Sequence, residues 1–261
     1  MSAKWPPAVF LIAMTLFSTL INTVTGQEQG SVSLVRIPEA DILPAESLQE
    51  ACASDSGWVF GYDQDGYLKK MAIEDISMGR SFQGGGPPDS PVLQRILVIE
   101  SDYAISYDEN KNLVKVPISA IPDDDWRAFT NEEIGVGSGH VFAGKTGIFA
   151  GGGFIKVSID NIPLSRSLNI VCGADSGYVI GFEKRWAGND LRKLSINAVP
   201  EVPIRQLSTV IAADSGYVMG LDSQGRLIRI SLSELEMGYA SSLANRIIDA
   251  DSGFVVCRVV A

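Results

Sequence analysis

Apolar and polar positions alternate, around one basic residue, in five short runs: LKKMAI, LVKVPI, FIKVSI, LRKLSI and LIRISL. Period-two alternation predicts strands with one face buried. The basic residue falls at the same place in each run, at Lys70, Lys115, Lys156, Lys193 and Arg229. Behind the runs come EDI, SAI, DNI, NAV and SEL, several followed closely by proline (Pro122, Pro163, Pro200), which predicts a short helical turn that proline stops. Apolar runs such as QRILVIE, SLNIVCGAD and LSTVIAAD then lead into the next copy as further strands.

The copies are marked by a serine in a turn-like phrase, at Ser56, Ser101, Ser138, Ser176, Ser215 and Ser252, with gaps of 45, 37, 38, 39 and 37 residues. The long first gap contains the loop-like FQGGGPPDSP. An acid precedes the serine in five copies (Asp55, Glu100, Asp175, Asp214, Asp251), and Gly137 takes that place in the third. Two residues after it come Trp58, Tyr103, His140, Tyr178, Tyr217 and Phe254. Glycine mostly lies between, with Asp102 the exception, so a tight turn or bulge entering a strand is expected. The third copy is again unusual in its turn sequence, GKTGIFAGGG.

This self-similarity predicts an all-β protein of six repeats of about 38 residues, each with three short strands. The chain ends before a sixth alternating run can follow Ser252, but SLVRIP near the start has the pattern, with Arg36 in the basic slot. The N-terminal strand is thus expected to complete the last repeat. A ring closed by its own two ends requires this, and a stack of subunits or a linear array cut at another phase also gives it. Two architectures fit: a closed six-bladed β-propeller-like ring, or a trimeric β fibre module. Residues 30–261 form the repeat domain and residues 1–29 a separate segment.

In that segment Lys4 precedes an uncharged stretch at 5–26, near the length of a membrane-spanning helix. It reads as an apolar helix that anchors the protein in an assembly, with a secretory signal or a membrane helix as the other readings. The net charge of −10 argues against a nucleic-acid partner, which needs a basic face.

Candidate chemistry is sparse. Serine nucleophiles need a base in reach, and His140 is the single histidine. DQDG at Asp63 and DSQG at Asp222 resemble pieces of calcium loops but lack the spaced glutamate, and hairpin turns explain them better. The PDDDW carboxylates (123–125) are adjacent in a loop, which is weak support for a glycosidase pair. The GGG stretches lack the rest of a phosphate loop. Cys52, Cys172 and Cys257 form no CxxC pair and read as buried free thiols. No catalytic residue, metal site or cofactor is therefore expected. The acids and bases of the repeat are expected to pair across adjacent units and fix register. Trp58, Tyr103, Tyr178 and Tyr217 are expected to pack between units, with a ligand-facing shelf as the alternative.

DGYLKKMAIEDI, NDLRKLSINAV and GRLIRISLSEL resemble a short repeat common in bacteriophage tail and head fibres. The resemblance implies a non-enzymatic virion protein of a fibre, collar or tail, often trimeric or higher. It implies other virion proteins as partners and contact with the host surface, and carries over no site residue. ADSGYVMGLDSQGRL also resembles the inner strands of lectin-like β-propeller blades. That resemblance implies instead a secreted or surface-anchored propeller that binds glycans.

Overall fold

The computed structural model describes residues 33–79, 96–108, 110–129, 134–145, 153–185, 188–241 and 245–259. The expected apolar helix at 1–29 and the FQGGGPPDSP insertion lie outside them. The repeats form six small sheets of three or four strands, antiparallel apart from a short parallel edge pair in two of them. Unit one comprises Glu50–Asp55, Trp58–Tyr62 and Leu68–Ala72. Unit two comprises Val98–Glu100, Tyr103–Tyr107 and Leu113–Pro117, and unit three Ile134–Gly137, His140–Lys145 and Gly153–Ser158. Unit four has Ile170–Asp175, Tyr178–Arg185 and Gly188–Ser195, and unit five Thr209–Asp214, Tyr217–Leu221 and Leu227–Ser231. Unit six takes Asn245–Asp251 and Phe254–Val259 from the C-terminal end and Leu34–Pro38 from the N-terminal end as its third strand.

Each serine phrase is a two-residue hairpin loop between first and second strands. The serines have φ of 51–55° and the glycines that follow them 73–83°. Two successive left-handed residues match the twist of a hairpin, and glycine is the residue with least steric objection. The acid–Ser–Gly–aromatic wording thus encodes a turn first.

Four of the six sheets have the expected three strands, and two have a short fourth. The segment leaving each third strand makes a three-residue 3-10 turn and then pairs, in parallel, with the third strand of the next unit. Ser77–Met78 joins unit two and Glu236–Met237 joins unit six. Elsewhere the contact is one bridge: Pro44 to Lys70, Asp123 to Lys156, Leu164 to Lys193 and Glu201 to Arg229. The fourth strand is too short to leave a periodic pattern, so the alternation could not show it. Among the described residues no helix is long and apolar enough to cross a membrane.

The core is distributed over the seams between neighbouring units. First strands pack in the order of the units, and that of unit six packs against that of unit one. Each seam holds an apolar cluster, such as Phe60, Ala53, Ile37 and Val255 between units one and six, or Ile180, Phe182, Val157 and Ile155 between units three and four. A three-stranded sheet has little to bury alone, so every unit takes its stability from two neighbours.

Candidate functional site

The repeated polar residues converge on two places, the hairpin turns and the outer third strands. At the turns, the glycine N–H of one unit donates to the acid of the next: Gly57 to Glu100 at 3.2 Å, Gly139 to Asp175 at 2.6 Å, Gly177 to Asp214 at 2.9 Å, Gly216 to Asp251 at 2.7 Å and Gly253 to Asp55 at 2.9 Å. The last bond joins unit six back to unit one. The carbonyl of the same turn accepts from the start of the unit's own 3-10 turn, as in Ile196 N–H to Gly177 and Leu232 N–H to Gly216. Charge-assisted bonds of this kind are among the stronger ones available to a main-chain donor.

The seam between units two and three lacks this bond because Gly137 replaces the acid. The space is used otherwise: a Cβ at 137 would meet the Ile99 side chain at 2.9 Å. Gly137 is there because Ile99 fills the seam with apolar contact.

On the outer strands, five of the six basic residues reach back to the 3-10 turn of the preceding unit or the residue that ends it. Lys193 Nζ donates to the Ile159 carbonyl at 2.7 Å, Lys156 to Ile121 at 2.6 Å, Lys70 to Glu39 at 3.0 Å, and Arg229 to Ile196 at 3.0 Å. Lys115 Nζ bonds the Ile73 carbonyl in the same way. The cation also lies over the ring of its own unit: Lys70 on Trp58, Lys115 on Tyr103, Lys193 on Tyr178, Arg229 on Tyr217 and Arg36 on Phe254, at 4.3–5.1 Å from the ring centroids. Such contacts are worth ~0.5–2 kcal/mol each, more when desolvated.

One expectation is corrected here. The acids before the serines do not pair with the basic slots; acids bind turn N–H groups and bases bind turn carbonyls. Acidic partners of the bases come from the linkers instead, Asp123 to Lys156 at 2.9 Å and Glu201 to Arg229 at 3.2 Å. The four aromatics Trp58, Tyr103, Tyr178 and Tyr217 are half-buried, pack against the apolar clusters between units and have one ring face under a cation.

The remaining candidates are engaged in local contacts. His140 Nδ1 donates to the Ser138 carbonyl at 2.8 Å, so its contact is to main chain. The calcium-like fragments are Asx turns: Asp63 Oδ1 accepts from the N–H groups of Asp65 and Tyr67, and Asp222 Oδ1 from those of Gln224 and Arg226. These bonds, Arg226 foremost, hold the Asp222 carboxyl below the usual range. In PDDDW, Asp123 binds Lys156 and Asp125 caps the 3-10 turn at Trp126–Ala128 through the Arg127 N–H.

The acids have a second consequence that the sequence did not disclose. The first strands of all six units line one cavity of about 350 Å³, and Asp55, Glu100, Asp175, Asp214, Asp251 and Asp249 all border it. Its described lining includes no basic side chain. Asp249 stands three residues before Ser252, where units one and five have Ala53 and Ala212, so it lay outside the repeat's pattern. Its carboxylate accepts from the N–H groups of Ala213 and Ala250. Among the described residues no group of three or more His, Cys, Asp and Glu is arranged to hold a metal ion.

Burial raises the Asp249 carboxyl to about 7, and repulsion from Asp251 and Asp214 adds to it against the two N–H donors. Asp214 is raised for the same reasons, burial first. A carboxyl with a raised folded-state pKa keeps a proton that the unfolded chain loses near about pH 4. Its stabilising effect is therefore present below that pH and is lost as pH rises through about 7. The denaturant midpoint is expected to fall between about pH 5 and about pH 8, and Asp249→Asn to flatten the fall. A midpoint that climbs over this interval contradicts the assignment.

No family model, curated protein or solved structure matches this chain.

Proposed function

We propose that this chain is a non-enzymatic six-bladed β-propeller that serves as a structural part of a bacteriophage particle, in a fibre, collar or tail assembly, held there by its N-terminal segment. One observation carries the non-enzymatic half of the reading. The side chains that recur, and that chemistry would need, are engaged: acids on glycine N–H groups and cations on turn carbonyls of the neighbouring unit, cations also on ring faces and the histidine on main chain within their own unit. The cyclic packing of first strands and the N-terminal strand in unit six support the propeller form.

The particle assignment rests on the fibre-type repeat sequences. It is supported by the outer edges, where Leu43, Met78, Leu164 and Met237 stand exposed at or beside the parallel bridges. Exposed apolar side chains on sheet edges favour association with further protein. A second reading, a secreted or surface-anchored glycan-binding propeller, is favoured by the acidic cavity, whose carboxylates suit a polyhydroxylated ligand. Native mass spectrometry of the full chain, followed by passage over immobilised glycans, separates the two. The structural reading expects an oligomer, a trimer or higher, that passes unretained. A monomer retained by sugar overturns it and supports the second reading.

A further inference from the structure

The chain closes on itself where unit six meets unit one, and two of its three cysteines stand at this seam. Cys257 is fully buried in the second strand of unit six. Cys52 is half-buried and occupies the irregular position between Ala51 and Ala53, where the first strand of unit one carries one extra residue. Cys257 belongs to the apolar cluster that joins the two units, with Ala53, Ile247 and Val255, and Cys52 packs against the same cluster. Tyr62 of unit one binds across the seam, its hydroxyl accepting from the Ile247 N–H at 2.6 Å, and Ile247 is the register partner of Cys257. Burial pushes both thiols up to about 12, and the charge of Cys52 adds to the shift at Cys257. Cys172 is an internal contrast: it sits at the same irregular strand position in unit four and is buried to a similar degree, in a cluster with no second cysteine.

We propose that Cys52 and Cys257 form a disulfide under oxidising conditions, locking unit six covalently to unit one. The closure of the ring otherwise depends on strand pairing between the two ends of the chain, so this seam is where a covalent link adds most. The reaction is thiol–disulfide exchange with a small disulfide such as oxidised glutathione. The Cys52 thiolate, the more exposed of the two, attacks one glutathione sulfur and releases the first glutathione thiolate. The Cys257 thiolate then attacks Cys52 Sγ and releases the second. Two protein thiols are oxidised, one glutathione disulfide is reduced to two thiols, and the two protons pass to solvent or to the glutathiones. Because both thiols hold their protons well above neutral pH, exchange is slow at pH 7 and quickens as the solution becomes alkaline. The inference is independent of the proposed function.

The test treats the full chain with oxidised glutathione at mildly alkaline pH, alkylates remaining thiols and maps the peptides without reduction. The expected product is a Cys52–Cys257 linked peptide, a loss of about 2 Da for the two hydrogens, and Cys172 recovered unlinked. The oxidised chain is expected to melt several degrees higher than the reduced one. Cys257→Ala should trap Cys52 as a stable glutathione adduct. In the unaltered chain, a stable adduct at Cys52 beside a free Cys257, recovery of both as alkylated thiols, or a link to Cys172 instead, each overturns the proposal.

Discussion

Ile37→Asp is expected to unfold the whole repeat domain, not only the unit in which it lies. Ile37 is fully buried in the N-terminal strand, paired with Val255 of unit six and packed into the seam with unit one. Leu34 of the same strand enters the other seam of that unit, among Ile228, Ile230 and Val256. One five-residue strand therefore supplies both seams that flank unit six. Placing a carboxylate there buries a charge with no partner and removes apolar contact, a loss of ~4 kcal/mol or more. Units lean on one another in a cycle, so opening one seam deprives both neighbours. Denaturant unfolding followed by fluorescence and by circular dichroism should show one transition, shifted to lower denaturant in both. An early transition of part of the signal, with the rest unshifted, would mean that the units fold independently.

Much of this was legible in the chain itself because the repeat writes the same physical demand six times. Alternation fixed the third strands, glycine after serine marked the hairpin turns, and Arg36 in the basic slot pointed SLVRIP to the last unit. What the sequence hid has physical reasons. The parallel fourth segment is one or two residues long, below any period. Partner choice was misjudged because opposite charges at fixed places suggest ion pairs, whereas the nearest strong partners are main-chain N–H and carbonyl groups left over at turns. Convergence of the acids on one cavity depends on the first strands standing side by side, which no single repeat reveals. Asp249 is private to one unit, so no repeat position marks it.

A last property of the fold separates two kinds of glycine. Gly57, Gly177 and Gly216 sit in turns at φ near 80°, and a Cβ there would meet nothing within 4 Å. Alanine at these positions is strained only by its backbone, a cost of ~1–2 kcal/mol. Gly61, Gly181 and Gly220 lie within second strands, and freedom of φ is not their reason. Each stands beside the register shift of the first strand of its unit, where a Cβ would collide with the carbonyl of Glu50, Ile170 or Thr209. Unit three pairs these strands without a shift and carries Ala143 in the same slot, while unit six keeps the shift and carries Cys257 there, so the close carbonyl approach belongs to units one, four and five. Backbone must move to admit even a methyl group, so Gly61→Ala, Gly181→Ala and Gly220→Ala are each expected to lose ~3 kcal/mol or more. Gly144→Ala, in a strand with open space at its Cβ, is expected to change stability by ~0.5 kcal/mol or less. Denaturation midpoints should therefore rank strand glycines as costliest, turn glycines next and Gly144 last. If Gly220→Ala proves as mild as Gly144→Ala, the two strands of that unit do not approach as closely as the contact with the Thr209 carbonyl implies.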